Sequence, residues 1–371
     1  MTDLLYSEVE EDLRASVRGL LADRSDPATV LARVETDQPY DLDLWRTLAT
    51  DLGVAGLHVP EELGGQGAST RETAVVLEEL GRAVAPVPFL GSAVLATSAL
   101  LGCDTAAAEV AALASGERRG ALAVPLSAAP SAPFPDTVRV DAEGRLSGRV
   151  GTVADAAVAE LLVVPAAGPD GPELRAVDMP SDGVTVSGIV GLDLTRGIAD
   201  VTFDGAASRR LAGPDVAGTA LTNALITAAG LLASEQLGVA QWCLDTTVAY
   251  VKERHQFGRP VGSFQALKHR LADLWLDLVG ARAAARYAAD ALATSSVDVP
   301  VAVAVAASHC SSVAVKAAEE CIQLHGGIGM TWEHPAHLFL KRAKSTESAL
   351  GTPGRHRAAL ATLVDLPAPV A

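Results

Sequence analysis

Tyr250-Val-Lys-Glu-Arg-His-Gln-Phe-Gly258 is followed by Ser263-Phe-Gln265 and, further on, by Gln323-Leu-His-Gly-Gly327. The first stretch closes a run of helical periodicity and places a cation, Arg254, beside an amide and an aromatic ring, Gln256 and Phe257. The last ends a second such run in paired glycines, which lack a Cβ and let a ligand or another backbone come close. Singly these signals are weak, because an arginine on a helix is usually solvated and a Gly-Gly is usually a turn. Their value lies in their order and spacing.

Outward from this point the chain divides into three textures. From 211 to 371 the pattern is helical, with Leu267, Leu271, Leu274 and Leu278 spaced as the buried stripe of a helix bundle. From 119 to 210 short valine-rich runs broken by Gly, Pro and Asp predict a small β domain. They are Ala121 to Val124, Thr137 to Val140, Leu161 to Val164, Val184 to Val190 and Ile198 to Phe203. From 1 to 118 the pattern is helical again, with Leu5, Val9, Leu13, Val17 and Leu20 near a 3.6-residue period. Here a helix ends near Leu52-Gly53, Pro60 to Gly65 reads as a loop, and Ser69-Thr-Arg-Glu72 opens the next helix as a capping box. The fold class is α+β, and Pro367 to Ala371 is expected to fray.

The chain has 371 residues, 49% of them hydrophobic, which is ample for a buried core. Cys103, Cys243, Cys310 and Cys321 form no C-x-x-C pair, so reduced thiols and no metal are expected. An acidic start argues against a signal peptide, and no charge-free run reads as a membrane span, so a cytoplasmic protein with no membrane partner is expected. The net charge of -16 disfavours nucleic acid.

With these segments in place the chain resembles the acyl-CoA dehydrogenase family over nearly its whole length. Gly53 to Glu62 and Val76 to Gly81 are similar to family segments, and Gly326 to Pro335 with Lys341-Arg-Ala-Lys344 aligns without a gap. The resemblance implies an N-terminal helical domain, a β-barrel-like middle domain and a C-terminal four-helix bundle. It implies FAD as cofactor, an acyl-CoA thioester as substrate and an electron-transfer flavoprotein as acceptor. It also assigns cofactor contacts to Arg254, Gln256, Phe257, Gln323, Gly326, Gly327 and Thr352. In the family this clamp grips the diphosphate and adenosine end of a flavin seated mainly in a neighbouring subunit, so an oligomer is implied as well.

The departures from the family pattern are specific. Family members remove the α proton of the thioester with a glutamate at one of two positions, which fall here on Leu350 and Ala228. Neither residue can take a proton. Two other carboxylates are weighed as relocated bases. Glu235 lies two turns beyond Ala228, about 10.5 Å along a helix axis, whereas proton abstraction needs contact within about 3 to 3.5 Å. Glu347 lies just before Leu350, where a loop would let it swing inward. His255 is expected at the diphosphate end rather than as a base.

The family's loop near the flavin ring is replaced by Pro125 to Phe134, and the positions of its ring-facing Trp and Thr read Thr152 and Ala154. Three readings follow. The chain is a base-less subunit of a heteromeric α2β2 dehydrogenase, resembling those that act on steroid side-chain CoA esters, and a partner subunit supplies the glutamate. Alternatively it is a homomeric enzyme using Glu235 or Glu347, or a scaffolding pseudoenzyme. Ala228, Ala229 and Gly230 permit a roomy acyl site without naming the acyl group.

Overall fold

The computed structural model describes residues 4–367, so all of the tail beyond Pro367 lies outside the described residues. Helix α1 (Glu8–Arg24) opens in a capping box between Ser7 and Glu10, and its Val17 is fully buried. Leu5 and Val9, read above as part of the apolar stripe, are instead 70% and 69% exposed. They precede or barely enter the helix, and their side chains face solvent. After α2 (Pro27–Val34) and α3 (Leu42–Arg46) comes a wide turn, Thr47–Asp51, and then Gly53 in the left-handed region at φ 66°. Helix α4 (Thr70–Ala83) starts in the capping box that its Ser69 and Glu72 predict, and α5 (Thr97–Leu101) and α6 (Ala107–Ala114) complete this layer.

The middle of the chain forms one eight-stranded sheet. Its strands are β1 (Gly120–Leu122), β2 (Val138–Val140), β3 (Arg145–Ala154), β4 (Leu161–Gly168), β5 (Gly171–Asp178), β6 (Val184–Ile189), β7 (Ile198–Ala207) and β8 (Arg209–Ala212). They lie in the order β6-β7-β3-β2-β4-β5-β8, with β1 parallel to β4. Strand β5 escapes a valine-based reading because it carries Glu173 and Arg175. Both are buried and paired at 2.9 Å, which makes a charged strand fit an interior. Between Val150 and Val153 the β3-β7 register shifts, and this bulge holds Thr152 at φ 53°.

Three long helices make the bundle: α7 (Pro214–Glu253), α8 (Gln265–Ala293) and α9 (Val299–His325), followed by α10 (Ala336–Ser348) and α11 (Pro353–Leu363). Contrary to the sequence reading, α7 and α9 each contain a window long and apolar enough to span a bilayer, but 61% and 72% of those windows are buried inside the protein. A helix that is apolar all round belongs in the centre of a fold. Helix α4 crosses α7 backbone to backbone: a Cβ at Gly81 would stand 2.1 Å from the Glu235 carbonyl oxygen, and one at Gly238 would stand 1.9 Å from that of Glu78.

Beside this crossing the β domain and the bundle share a buried ion cluster. Arg196 donates to both oxygens of Glu235, at 2.6 and 2.5 Å, and Arg342 of α10 reaches the same carboxylate at 3.1 Å. Arg342 also donates to Asp193 at 2.8 Å and to the Thr195 carbonyl at 2.8 Å. Tyr40 and the Gly91 amide, both from the N-terminal domain, donate to Asp155 of the β domain at 3.0 and 2.9 Å. Burial penalises the Glu235 charge, but the two guanidiniums outweigh that penalty and hold its pKa below the ordinary glutamate value. Removing Arg342 leaves the buried Asp193 with no salt-bridge partner among the described residues and Glu235 with Arg196 alone. Arg342→Ala should therefore lower the unfolding free energy by about 3 to 5 kcal/mol in chemical denaturation. A loss within about 0.5 kcal/mol, typical of a surface change, would contradict this reading of the cluster.

Candidate functional site

Helix α7 stops at Glu253, and Arg254 leaves it in an extended conformation at φ -69°, ψ 125°. The chain then makes a small hairpin from β9 (His255–Gln256) and β10 (Arg259–Pro260), turning through Phe257 and Gly258 at φ 54° and 76°. The Phe257 ring is 90% exposed and meets Phe264 edge-on, while Arg259 lies over Phe264 at 3.9 Å. The Arg254 side chain is exposed and has no hydrogen-bond or salt-bridge partner among the described residues. His255 is likewise exposed, its ring Nδ1 donating to the Glu253 carbonyl at 2.8 Å.

The end of α9 lies alongside. Tyr250 stacks on His325 with ring centroids 4.4 Å apart, which brings the ends of the two helices together. His325 is buried, and its Nδ1 donates to the Cys321 carbonyl at 2.6 Å. Past it Gly326 adopts φ 64°, and a Cβ at Gly326 or Gly327 would meet nothing within 4 Å. Gln323, Gly326 and Gly327 are all exposed. An exposed guanidinium, two exposed amides, an uncovered aromatic ring and an open glycine turn thus share one end of the bundle. Their chemistry fits a diphosphate and its nucleoside: a charged fork for phosphate oxygens and flat or backbone surfaces for the base.

Thr352 does not belong to that group. Its hydroxyl accepts from the Arg355 amide at 3.3 Å and caps α11. Residues of α11 share a cavity wall with Pro300, Val303 and Ala304 near the start of α9. Gln323 is on the order of 28 Å further along that helix.

Both expected base positions are packed shut. Ala228 is 0% exposed and Leu350 1%. Leu350 sits at φ 55°, and its amide donates to the Leu126 carbonyl at 2.7 Å. The roomy site read from Ala228, Ala229 and Gly230 is absent at this spot. A Cβ at Gly230 would stand 2.8 Å from Leu292 and 3.0 Å from Val303, so the small residues serve close helix packing. Apolar cavities open instead on either side of the 125–135 loop, one of 450 Å³ against Leu221 and Leu225, the other of 360 Å³ against Ile226 and Val303.

The two substitute carboxylates fare no better. Glu235 is buried with both oxygens held by arginines. Glu347 lies in the last turn of α10 rather than in a loop, 3.8 Å from Lys344 and partly exposed. The sequence reading missed the arginines that occupy Glu235. Arg342 stands in the quoted Lys341-Arg-Ala-Lys344 segment and Arg196 in a loop, and only three-dimensional burial marks them.

The ring-side residues are closed by their own chain. The Thr152 amide donates to Asp200 at 3.1 Å, and its carbonyl accepts from the Leu126 amide at 3.0 Å. Ala154 is buried in register with Ile198. The adjoining cavity, of 340 Å³, is walled by Leu126, Ser127, Thr152, Ile198, Ser345 and Ser348 among others, with no aromatic ring for stacking. The bundle end therefore presents groups that could hold a nucleotide tail, while the cavity beside Thr152 has no aromatic ring in its wall and its carboxylate, Asp193, is held by Arg342 at 2.8 Å.

Comparisons with known proteins agree on the family. The profile of the acyl-CoA dehydrogenase N-terminal domain matches residues 7–110, and that of the C-terminal domain matches 218–364. Acyl-CoA dehydrogenase IpdE2 of Mycolicibacterium smegmatis is 38% identical over 94% of this chain and 96% of its own length. Acyl-CoA dehydrogenase FadE34 of Mycobacterium tuberculosis is 37% identical over 92% of this chain but only 46% of its own length. Among solved structures, the ChsE4-ChsE5 complex from M. tuberculosis superposes with a TM-score of 0.87 at 30% identity, covering 99% of this chain and 100% of that one. A variant of the steroid acyl-CoA dehydrogenase Tcur3481-Tcur3483 superposes at 0.85 with 31% identity, covering 96% and 98%.

The partly exposed position of Glu347 in the last turn of α10 gives an expectation that can be measured. In an acyl-CoA desaturation assay, Glu347→Gln should leave kcat/KM within twofold. A drop of about 10² to 10⁴, the usual cost of losing a general base, would make Glu347 the base after all.

Proposed function

The chain belongs to the acyl-CoA dehydrogenase family, and within it we propose the role of a non-catalytic subunit that completes the flavin site of a second, glutamate-bearing subunit. The observation that carries this reading is the contrast between its two half-sites. Leu350 is sealed at the base position, while Arg254 stands exposed at the bundle end with no side-chain partner among the described residues. In this role Arg254 pairs with the diphosphate of the partner's FAD, and Gln256, Phe257, Gln323, Gly326 and Gly327 flank its adenosine. The flavin, when bound, supplies the acceptor for the hydride that leaves the substrate's β carbon. Everything this chain does toward that step is positional: it fixes the tail and excludes water from it.

Two comparisons support a partner. One similar structure is a complex of two differently named chains, ChsE4 and ChsE5, and FadE34 is about twice the length its match to this chain uses. The name of the Tcur3481-Tcur3483 enzyme supports a steroid-derived acyl-CoA as substrate. The apolar cavities beside the 125–135 loop are chemically compatible with such a group. The electron acceptor in this reading is an electron-transfer flavoprotein, as in the family, and the compartment is the cytoplasm.

Expressed alone, the chain should show no acyl-CoA desaturation, and activity should appear on coexpression with a family member that carries the glutamate. Arg254→Ala in this chain should then lower the flavin retained by the complex at least tenfold, since a charge-assisted contact to phosphate is lost. Turnover by the lone chain would replace the proposal with a homomeric enzyme. A stable complex with no flavin would replace it with a scaffold.

A further inference from the structure

Where α1, α4, α7 and α8 meet, five arginines converge on one groove of 400 Å³: Arg14, Arg18, Arg82, Arg282 and Arg286 line it. This concentration of positive charge occurs in a chain whose net charge is -16. Three of the five have buried or close carboxylates. Arg18 makes a two-pronged bond to Glu79 at 2.8 and 2.6 Å, Arg14 lies 3.3 Å from Glu78, and Arg82 lies 2.7 Å from Asp245. Glu11 reaches Arg14 only from solvent, at 3.7 Å with its side chain 55% exposed, a separation and exposure that leave little net attraction.

Arg282 and Arg286 differ. They stand one helical turn apart on α8 and so share a face. Neither forms a salt bridge with any described residue. Arg282 is held by a neutral group, the Gln241 side-chain carbonyl at 2.5 Å, and that amide in turn donates to Asp245 at 2.8 Å. Arg286 donates to the Leu4 carbonyl at 3.4 Å and lies over the Tyr6 ring at 3.8 Å, with Arg14 also against that ring at 4.1 Å. The Nε atoms of Arg14 and Arg286 are buried without a hydrogen-bond partner among the described residues. Arg14 is neutralised by Glu78 and Glu79, its Nε lying 3.6 Å from the latter, whereas the ring, the carbonyl and the glutamine hold Arg282 and Arg286 in place without neutralising them, an arrangement that leaves their charge available to something else.

We propose that this groove is a binding site for a phosphate-class dianion, either free phosphate or a phosphate monoester on a larger ligand. The charge argues for the class: two uncompensated guanidiniums match the roughly -1.5 to -2 of a phosphate monoester near neutral pH, whereas a carboxylate would leave one unmatched. Guanidinium forks also suit the tetrahedral oxygens geometrically. The groove is separate from the clamp. Asp245, on its wall, lies roughly 13 Å before Arg254 along the α7 axis.

The test is calorimetric titration of the full chain at low ionic strength with inorganic phosphate, adenosine monophosphate and acetate. Saturable one-to-one binding of phosphate or of the nucleotide, with none for acetate, is expected. Phosphate binding that Arg254→Ala keeps and the groove variants lose assigns the site to the free ion, and nucleotide binding alone with the same behaviour assigns it to a monoester rather than to the clamp. Arg282→Gln and Arg286→Gln should each weaken that binding at least tenfold, and Arg282→Lys, which keeps the charge but not the fork, should weaken it less. Arg357→Gln, an exposed change on α11, should leave it unaltered, and thermal melts confirm that each variant is folded. No saturable binding of either phosphate species, equal binding of acetate, or undiminished affinity in both glutamine variants would overturn the proposal.

Discussion

Glu235 held between Arg196 and Arg342 is the interaction around which the domains are arranged. Taking these charges out of water is costly, and they persist because each has an opposite charge and hydrogen bonds in place. The arginines come from the β domain and from α10, and the carboxylate comes from α7 at the point where α4 crosses it. That crossing is possible because Gly81 and Gly238 let the backbones touch. The same cluster bears on a chemical question. A carboxylate wanted for the balance of buried charge cannot also be free to take a proton from a substrate, and the arginines keep Glu235 in its ionised, occupied form.

Glu235 is engaged by two arginines and Glu347 lies in the last turn of α10, so neither of the carboxylates weighed as a base stands free beside Leu350. The backbone reinforces that closure. The 125–135 loop binds the Thr152 carbonyl on one side and the Leu350 amide on the other, so a short stretch of chain bridges the strand and the turn where the family places a flavin ring. At the bundle end the opposite holds. Arg254, Phe257 and the Gly326-Gly327 turn are exposed, and the Arg254 side chain has no hydrogen-bond or salt-bridge partner among the described residues. Exposed charge and aromatic surface side by side are features of contact surfaces rather than of a finished site.

Much of this is legible in the residues themselves. The alternation of helical and valine-rich segments carries the three-part architecture, the Ser69 and Glu72 pair marks the start of α4, and counting from Gln323 leads to Leu350. What is not legible depends on burial. Strand β5 carries charges that look like surface until Glu173 and Arg175 are seen paired inside, and Ala228 to Gly230 look like a cavity until Leu292 and Val303 fill it. The apolar windows of α7 and α9 have the length of membrane spans, and only their burial within the protein shows them to be core helices. Arg196 and Arg342 give no local signal because their partners lie far away in sequence.

The central claim is that this chain holds the tail of a flavin whose ring belongs to another subunit. The most direct measurement is the flavin content of the purified two-subunit complex, by absorbance against protein amount. The account predicts one flavin for each pair of unlike chains, since only one of the two has a complete ring site. Two flavins per pair would contradict it, because this chain would then be seating a ring of its own.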